Sequence, residues 1–176
     1  MQLQDAIALI THADFKPAGK QTWADLGCGS GLFTSALASL LQPESMIYAI
    51  DNNDSATFKK ISSFNKVTIQ AKRLDFVTDD LAINSLDGIL MANSLHYVKD
   101  KVSFLDKAAR YMKPANSFLI VEYDTDIPVN RWVPYPVSFQ SLKKLFSEAG
   151  YTSVSKLHER KSVYNSGSIY SAVITR

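Results

Sequence analysis

A glycine-rich stretch, DLGCGSG at residues 25–31, stands between a short apolar run and a longer amphipathic one. Thr22–Leu26 is predicted to be a strand, and Leu32–Leu41 a helix that ends near Pro43. A glycine turn between a strand and a helix lets a ligand approach bare backbone and places that ligand at a helix N-terminus. The stretch therefore favours an α/β fold that binds a nucleotide-like ligand.

Short apolar runs alternate with stretches of helical periodicity along the chain, which predicts alternating strands and helices. Four more strands are predicted at Met46–Ile50, Val67–Ala71, Asp87–Ala92 and Phe118–Val121. Helices are predicted around Leu3, Ile7 and Ile10, and at Ser55–Phe64, Asp100–Met112 and Phe139–Ala149. Parallel strands need crossover helices, and strands that are apolar throughout are buried on both faces. This part of the sheet is therefore expected to be parallel.

The pattern changes near the C-terminus of the sequence. Two β-like segments, 152–164 and 168–175, are joined at Asn165-Ser166-Gly167, which is a turn signal. Such a hairpin adds antiparallel pairing to a parallel sheet. We therefore predict a doubly wound, Rossmann-like α/β fold with a seven-stranded, mostly parallel sheet, a C-terminal antiparallel hairpin and helices on both faces.

Composition and charge set limits on the class of protein. The 176 residues fit a single domain, and 46% apolar with 20% charged residues is ordinary for a globular protein. The sequence has neither a bilayer-spanning apolar run nor a signal-peptide pattern, so we expect a cytoplasmic protein. A net charge of +2 gives no electrostatic argument for nucleic acid, and the single Cys28 cannot form an intrachain disulfide.

The spacing of the glycine loop can be compared with two known phosphate-binding patterns. A P-loop needs a Lys and a Ser or Thr where this loop has Leu32-Phe33, so that pattern does not match. Gly27, Gly29 and Gly31 come close to the dinucleotide pattern G-x-G-x-x-G, but Leu32 occupies the position of the third glycine. The loop alone is therefore a weak signal.

Two acids near the loop narrow the choice of ligand. Asp25 beside a pyrophosphate would cost about 1 kcal/mol or more in like-charge repulsion, whereas it would stabilise a cationic ligand. Asp51 ends the second strand, where an acid accepts hydrogen bonds from ribose hydroxyls in doubly wound folds. Each has a simpler alternative: Asp25 as a charge at the strand edge, and Asp51 as the N-cap of the next helix. Together they favour S-adenosylmethionine, which carries a sulfonium and an ammonium but no phosphate.

Several ordered motifs resemble the class I S-adenosylmethionine-dependent methyltransferases, most closely the small-molecule branch that includes ubiquinone/menaquinone-type enzymes. The resemblance covers roughly residues 20–150. It is carried by DLGCGSG (25–31), AIDNN (49–53), RLDF (73–76), DGILMANSLHYVKD (87–100) and YMKPANSFLIVEYD (111–124). It implies one methyltransferase domain over residues 1–176, with residues 1–20 as an N-terminal helix and loop that cover the cofactor site.

The resemblance also implies a role for individual residues. The methionine portion of the cofactor would be held by Asp25 and the loop residues Gly27, Cys28, Gly29 and Gly31. Asp51 would hold the ribose, with Asn52 beside the adenine. Asp75 would accept a hydrogen bond from the adenine amino group, and the Phe76 backbone would face a ring nitrogen. Asn93 would meet the methionine ammonium, and the methyl end would be lined by Ser94 and Leu95.

Methyl transfer from a sulfonium is an in-line displacement, so positioning of the acceptor is the main task of the protein. His96 follows the fourth strand and is the candidate general base if the acceptor must lose a proton. It could instead simply shape the pocket. The candidate acceptor pocket contains aromatic faces and one cation, from Phe15, Tyr97, Arg131, Trp132 and Tyr135. Trp132 and Tyr135 could equally anchor their proline-rich segment to the core.

Other functions stay open on the sequence alone. A nicotinamide dehydrogenase is disfavoured by Asp25 and by the missing third glycine. A nucleic-acid methyltransferase would want a basic face, whereas the lysines and arginines here are scattered. A protein methyltransferase and a non-catalytic S-adenosylmethionine-binding protein are further alternatives. We predict no metal, no membrane insertion, a small-molecule substrate, and a possible homodimer or partner chain that completes the pocket.

Overall fold

The computed structural model of the chain describes residues 1–11, 19–53, 65–129, 131–161 and 167–176. The predicted helix Ser55–Phe64 and the predicted pocket residue Phe15 lie outside these ranges. No helix in the described part of the chain is both long and apolar enough to cross a bilayer.

Seven strands form one sheet in the order β3-β2-β1-β4-β5-β7-β6. The strands are β1 (Thr22–Leu26), β2 (Met46–Asp51), β3 (Thr68–Arg73), β4 (Leu86–Ala92), β5 (Met112–Tyr123), β6 (Ser153–Lys161) and β7 (Ser168–Thr175). β1 to β5 pair in parallel, and β7 is antiparallel to both β5 and β6. The predicted fold class is therefore confirmed, including the C-terminal antiparallel hairpin.

Helices cover both faces of the sheet. Four α-helices are described: α1 (Leu3–Ile10), α2 (Leu32–Leu40), α3 (Lys101–Ala109) and α4 (Phe139–Glu148). The apolar residues of α1 and α2 pack on one face with Trp23 of β1, and those of α3 and α4 pack on the other with Phe118 of β5. A short 3₁₀ helix at Leu95–Tyr97 follows β4, and the sequence pattern did not predict it.

The prediction for α3 and β5 is wrong at their junction. The helix was predicted to reach Met112 but ends at Ala109, and Met112 already pairs with Leu86 in the sheet. Pro114 disfavours helical backbone only at Lys113, so the earlier end follows instead from the pairing of Met112 with Leu86, which requires extended backbone. Pro114 itself lies in the exposed first part of β5.

The topology places a crevice beside β1. β1 pairs with β2 on one side and with β4 on the other; α2 leads from β1 to β2 on one face of the sheet, and α3 leads from β4 to β5 on the other. In open α/β sheets, ligands bind at such a switch point, outside the carboxyl ends of the strands. The glycine loop after β1 and the segment after β4 both lie at this edge.

Candidate functional site

The glycine loop is held against the end of β2 by its own backbone. The N–H groups of Gly27 and Cys28 both donate to the Ile50 carbonyl, at 2.8 and 3.1 Å. Gly27, Gly29 and Gly31 have positive φ values of 79°, 52° and 80°, a region that L side chains rarely adopt. The sequence has glycines here because the turn from β1 into α2 requires left-handed backbone.

Gly27 and Gly29 differ in what surrounds them, which predicts unequal effects of alanine on stability. A Cβ on Gly27 would lie 2.5 Å from the Ser94 Cβ, whereas a Cβ on Gly29 would meet nothing within 4 Å. We expect Gly27→Ala to lower the free energy of unfolding by about 3 kcal/mol, from backbone strain and overpacking. Gly29→Ala should cost only about 1 kcal/mol from strain; it should weaken ligand binding if the ligand extends from the cleft along the loop, because the methyl group would fill the open space beside Gly29.

Urea unfolding and titration with S-adenosylhomocysteine check this matched pair. Equal losses of stability in the two variants, or unchanged binding by Gly29→Ala, would contradict the interpretation that the ligand binds against this loop.

Asp25 is a buried acid with one free oxygen. Its Oδ2 accepts a hydrogen bond from the Thr34 hydroxyl at 2.6 Å, and its Oδ1 is buried without a partner among the described residues. Burial raises the pKa of Asp25 to about 7, and the nearby Asp51 carboxylate adds to this rise. A carboxylate in this state is stabilised by any cation that reaches Oδ1, because the cation replaces the lost solvation.

Asp51 connects the glycine loop to the end of β2. One carboxylate oxygen accepts from the Gly29 N–H at 2.8 Å, and the other accepts from the Asn53 N–H at 2.9 Å. A carboxylate offers about four lone-pair positions, so two remain for a ligand. Asn52 and Asn53 are exposed beside it.

The segment after β4 closes the other side of the crevice. Asn93 has a positive φ of 54° and its N–H donates to the Val121 carbonyl at 2.8 Å. Its side-chain Oδ1 is buried without a partner among the described residues. The Ser94 hydroxyl donates to the Leu26 carbonyl at 2.6 Å and so ties this segment to β1. Strained backbone and an unpaired buried oxygen at one residue are typical of a functional position.

A cleft of about 390 Å³ lies at this edge of the sheet. It brings together eight of the predicted site residues: Gly27, Asp51, Asn52, Asp75, Phe76, Asn93, Ser94 and Tyr97. The other predicted cofactor residues do not line it. Asp25, Cys28 and Leu95 are buried, and Gly29 and Gly31 lie further along the loop. Burial raises the pKa of the Cys28 thiol, which fits a space-filling residue rather than a nucleophile.

Asp75 holds a turn at the far end of the cleft. Its Oδ1 accepts from the N–H groups of Val77 and Thr78, at 2.8 and 3.4 Å. Its own N–H donates to the Asp79 carboxylate at 2.9 Å. Phe76 is buried between this turn and α3, where its ring packs edge-on against Phe104.

Comparison with known proteins gives the family. Residues 24–118, more than half of the chain, match the family model described as a methyltransferase domain. The chain belongs to this methyltransferase family. An uncharacterized methyltransferase of Mycobacterium bovis is 24% identical over 109 residues, which cover 62% of this chain and 54% of that protein. The chain thus spans about half the length of the curated relatives that it matches.

Solved structures agree on the fold. A SAM-dependent methyltransferase from Aquifex aeolicus superimposes with a TM-score of 0.68 at 16% identity, covering 99% of this chain and 98% of that one. A Burkholderia thailandensis 1,6-didemethyltoxoflavin-N1-methyltransferase, solved with 1,6-didemethyltoxoflavin and S-adenosylhomocysteine, gives 0.70 at 16% identity, covering 99% and 77%. At these identities the likeness shows the methyltransferase fold alone.

His96 of this methyltransferase domain is buried against an acid that sequence reasoning missed. Its Nδ1 lies 2.7 Å from the Glu122 Oε2, and its backbone N–H donates to the Glu122 Oε1 at 3.1 Å. Its Nε2 is buried without a partner among the described residues. Glu122 could have been noticed as the one acid inside the apolar run FLIVEY of β5. Charged residues are almost never fully buried unless they are paired.

The proline-rich segment after β5 is held next to His96 by hydrogen bonds. The Tyr135 N–H donates to the His96 carbonyl at 3.0 Å, and the half-buried Lys101 ammonium donates to the carbonyls of Tyr135 and Val98. Burial lowers the pKa of Lys101, and the Glu122 carboxylate opposes this shift. The structure therefore places Tyr135 next to His96.

The predicted acceptor residues are mainly exposed. Tyr97 lines the cleft with its ring 4.3 Å from that of His96, centroid to centroid. Arg131 and Trp132 lie on the surface, and 75% of Trp132 is exposed. Such exposure does not fit the alternative in which Trp132 anchors the segment to the core. Among the described residues, no group of three or more His, Cys, Asp or Glu side chains could hold a metal ion.

Proposed function

We propose that this protein transfers a methyl group from S-adenosylmethionine to a small-molecule acceptor. The observation that carries the proposal is the buried Asp25 carboxylate, which leaves one oxygen unpaired beneath a glycine loop with open space at Gly29. The curated relatives are longer than the matched region. The activity, substrate and partners of the whole protein are therefore proposed here and are not inferred from those relatives.

The charges of the site support a cationic ligand without phosphate. Asp51 and Asp75 line the same cleft, and the buried Asp25 is near enough to Asp51 for the two carboxylates to repel each other. Three acids would repel a pyrophosphate, whereas an ammonium and a sulfonium would be stabilised by them. The unpaired Oδ1 of Asn93 adds a neutral acceptor for the ammonium. The residues present therefore fit S-adenosylmethionine better than a nicotinamide dinucleotide.

S-adenosylmethionine, when bound, supplies an activated methyl group. The residues of the chain then have to orient the acceptor and take its proton where it has one to lose. With the His96 proton on Nδ1, facing Glu122, the unpaired Nε2 is left as a proton acceptor. Glu122 would orient the imidazole and stabilise its charged form.

The acceptor is proposed to be a small planar or acidic molecule that contacts Tyr97, Tyr135, Trp132 and Arg131. The resemblance to ubiquinone/menaquinone-type enzymes supports an aromatic acceptor of this kind. Four further points stay predictions. They are a single domain over residues 1–176, coverage of the site by residues 1–20, a cytoplasmic location, and a homodimer or partner chain that completes the pocket.

Thermal unfolding with added ligands tests the proposal against the dehydrogenase alternative. S-adenosylhomocysteine at 100 times its dissociation constant should stabilise the protein by about 2.7 kcal/mol, a rise of roughly 5–10 °C in the midpoint for a chain of this size. NAD at the same concentration should not change the midpoint. A rise with NAD and none with S-adenosylhomocysteine would contradict the proposed function.

A further inference from the structure

A lysine on α3 reaches the turn that carries Asp75. The Lys107 Nζ lies in hydrogen-bond distance of three backbone carbonyl oxygens, those of Phe76 at 3.2 Å, Val77 at 3.0 Å and Asp79 at 2.5 Å. An ammonium has three N–H donors and no acceptor, so this geometry uses its whole donor capacity. Lys107 lies in the last turn of α3 and lines an open groove of about 910 Å³, whereas it does not line the cleft that contains Asp75.

Lys107 and Asp75 hold the same two peptide groups from opposite sides. The peptide between Phe76 and Val77 presents its C=O to Lys107 and its N–H to the Asp75 Oδ1. The peptide between Val77 and Thr78 does the same. Because C=O and N–H point in opposite directions in a trans peptide, fixing the carbonyls also fixes the N–H groups. The ammonium thereby sets the place of the Asp75 carboxylate, which it does not touch.

Three carbonyl dipoles that converge on one point repel each other unless a cation lies between them. If the Lys107 ammonium were removed, the turn would rotate its peptides toward water, and the N–H groups that hold Asp75 would move with them. We infer that Lys107 is a positioning residue for recognition of the adenine amino group by Asp75. This inference rests on the proposed function, because it assumes that the cleft binds an adenosyl ligand.

The test compares two ligands that differ at the adenine amino group. S-adenosylhomocysteine carries this donor, and its 6-deamino analogue, built on purine riboside, carries a hydrogen atom in its place and keeps N1 as an acceptor. Wild-type protein should prefer the adenosyl ligand by at least about tenfold, the value of one charge-assisted hydrogen bond. In Lys107→Met, we expect this ratio of dissociation constants to approach one. Lys107→Arg should keep part of the preference, because it keeps a cation at the turn.

Arg110→Met is the matched control, since it removes a positive charge from the rim of the same groove. It should leave the ratio unchanged. If Lys107→Met does not fold, Lys107→Gln and Asp75→Asn, alone and combined, serve instead. Their effects on the ratio should be strongly non-additive, because both residues act on the same two peptide groups.

The outcomes separate this inference from the proposed function. Binding of neither ligand by the wild-type protein would overturn the proposed function. Tight binding of S-adenosylhomocysteine by the wild type, with the same preference ratio in Lys107→Met or additive effects in the Lys107 and Asp75 variants, would overturn the positioning role alone.

Discussion

Asp25→Asn is expected to weaken the binding of S-adenosylhomocysteine about 100-fold and, at the same time, to make the ligand-free protein more stable at pH 8. The loss of affinity follows because a buried charge pair with the ligand ammonium becomes a neutral contact, which costs about 3 kcal/mol. The gain in stability follows from the pKa of Asp25, which burial raises from 3.8 to about 7.

The sign of the stability effect comes from proton binding. Between about pH 4 and pH 7 the folded protein holds a proton on Asp25 that the unfolded chain has released, so stability falls as the pH rises. Above pH 7 the folded protein carries the full cost of an ionised buried carboxylate, on the order of 4 kcal/mol. Asparagine removes this cost but leaves an unpaired N–H donor, so a net gain of about 1–3 kcal/mol is expected.

Calorimetric titration and urea unfolding, each at pH 6 and pH 8, measure both effects. Wild-type affinity should be weaker at pH 6 than at pH 8, and Asp25→Asn should lose this dependence. Asp87→Asn is the control, since Asp87 is paired with Lys113 at the amino end of β4 and should not influence binding. Lower stability of Asp25→Asn at pH 8 together with unchanged affinity would show that Asp25 is only structural.

His96→Gln is expected to lower the rate of methyl transfer about 10²- to 10⁴-fold for an acceptor that must lose a proton, the range of general-base catalysis. Glu122→Gln should lower it as well. A glutamine amide can donate to Nδ1, which would move the imidazole proton to Nε2 and remove the base. Both residues are buried, and the two side chains lie 2.7 Å apart.

The rate is followed as S-adenosylhomocysteine release with phenols that are neutral or already ionised at the assay pH. A base matters only for the neutral acceptors, whereas a residue that merely shapes the pocket would affect both groups equally. His158→Gln is the matched control, because His158 is exposed and contacts the Thr11 carbonyl instead. Equal losses for neutral and ionised acceptors in His96→Gln would contradict the role of base.

The fold could be predicted because its determinants are local in the sequence. Apolar runs gave the strands, and the glycines gave the turn between β1 and α2. The end of α3 is predicted three residues too late, because Met112 continues the helical periodicity although it belongs to β5. Local propensity cannot show that Met112 is in a strand and not in the helix, since its pairing with Leu86 is a contact between distant parts of the chain.

The candidate site could be predicted only where one motif contains it. Asp51, Asp75 and Asn93 reach one cleft because each lies at the carboxyl end of a parallel strand or shortly after it, which the alternating pattern already implies. The pairing of Glu122 with His96 joins residues from β5 and from the segment after β4. The contact of Lys107 with the Phe76 carbonyl likewise joins α3 to a turn. Such contacts depend on how elements pack, which no spacing in the sequence encodes.

The central claim is that the cleft between the glycine loop and Asn93 binds S-adenosylmethionine. Isothermal titration with S-adenosylhomocysteine tests it most directly, with Asp51→Ala as the companion variant, because Asp51 lines the cleft and holds the Gly29 N–H. We predict saturable one-to-one binding by the wild-type protein and at least about tenfold weaker binding by Asp51→Ala. No binding heat at millimolar S-adenosylhomocysteine, with no difference between the two proteins, would contradict it.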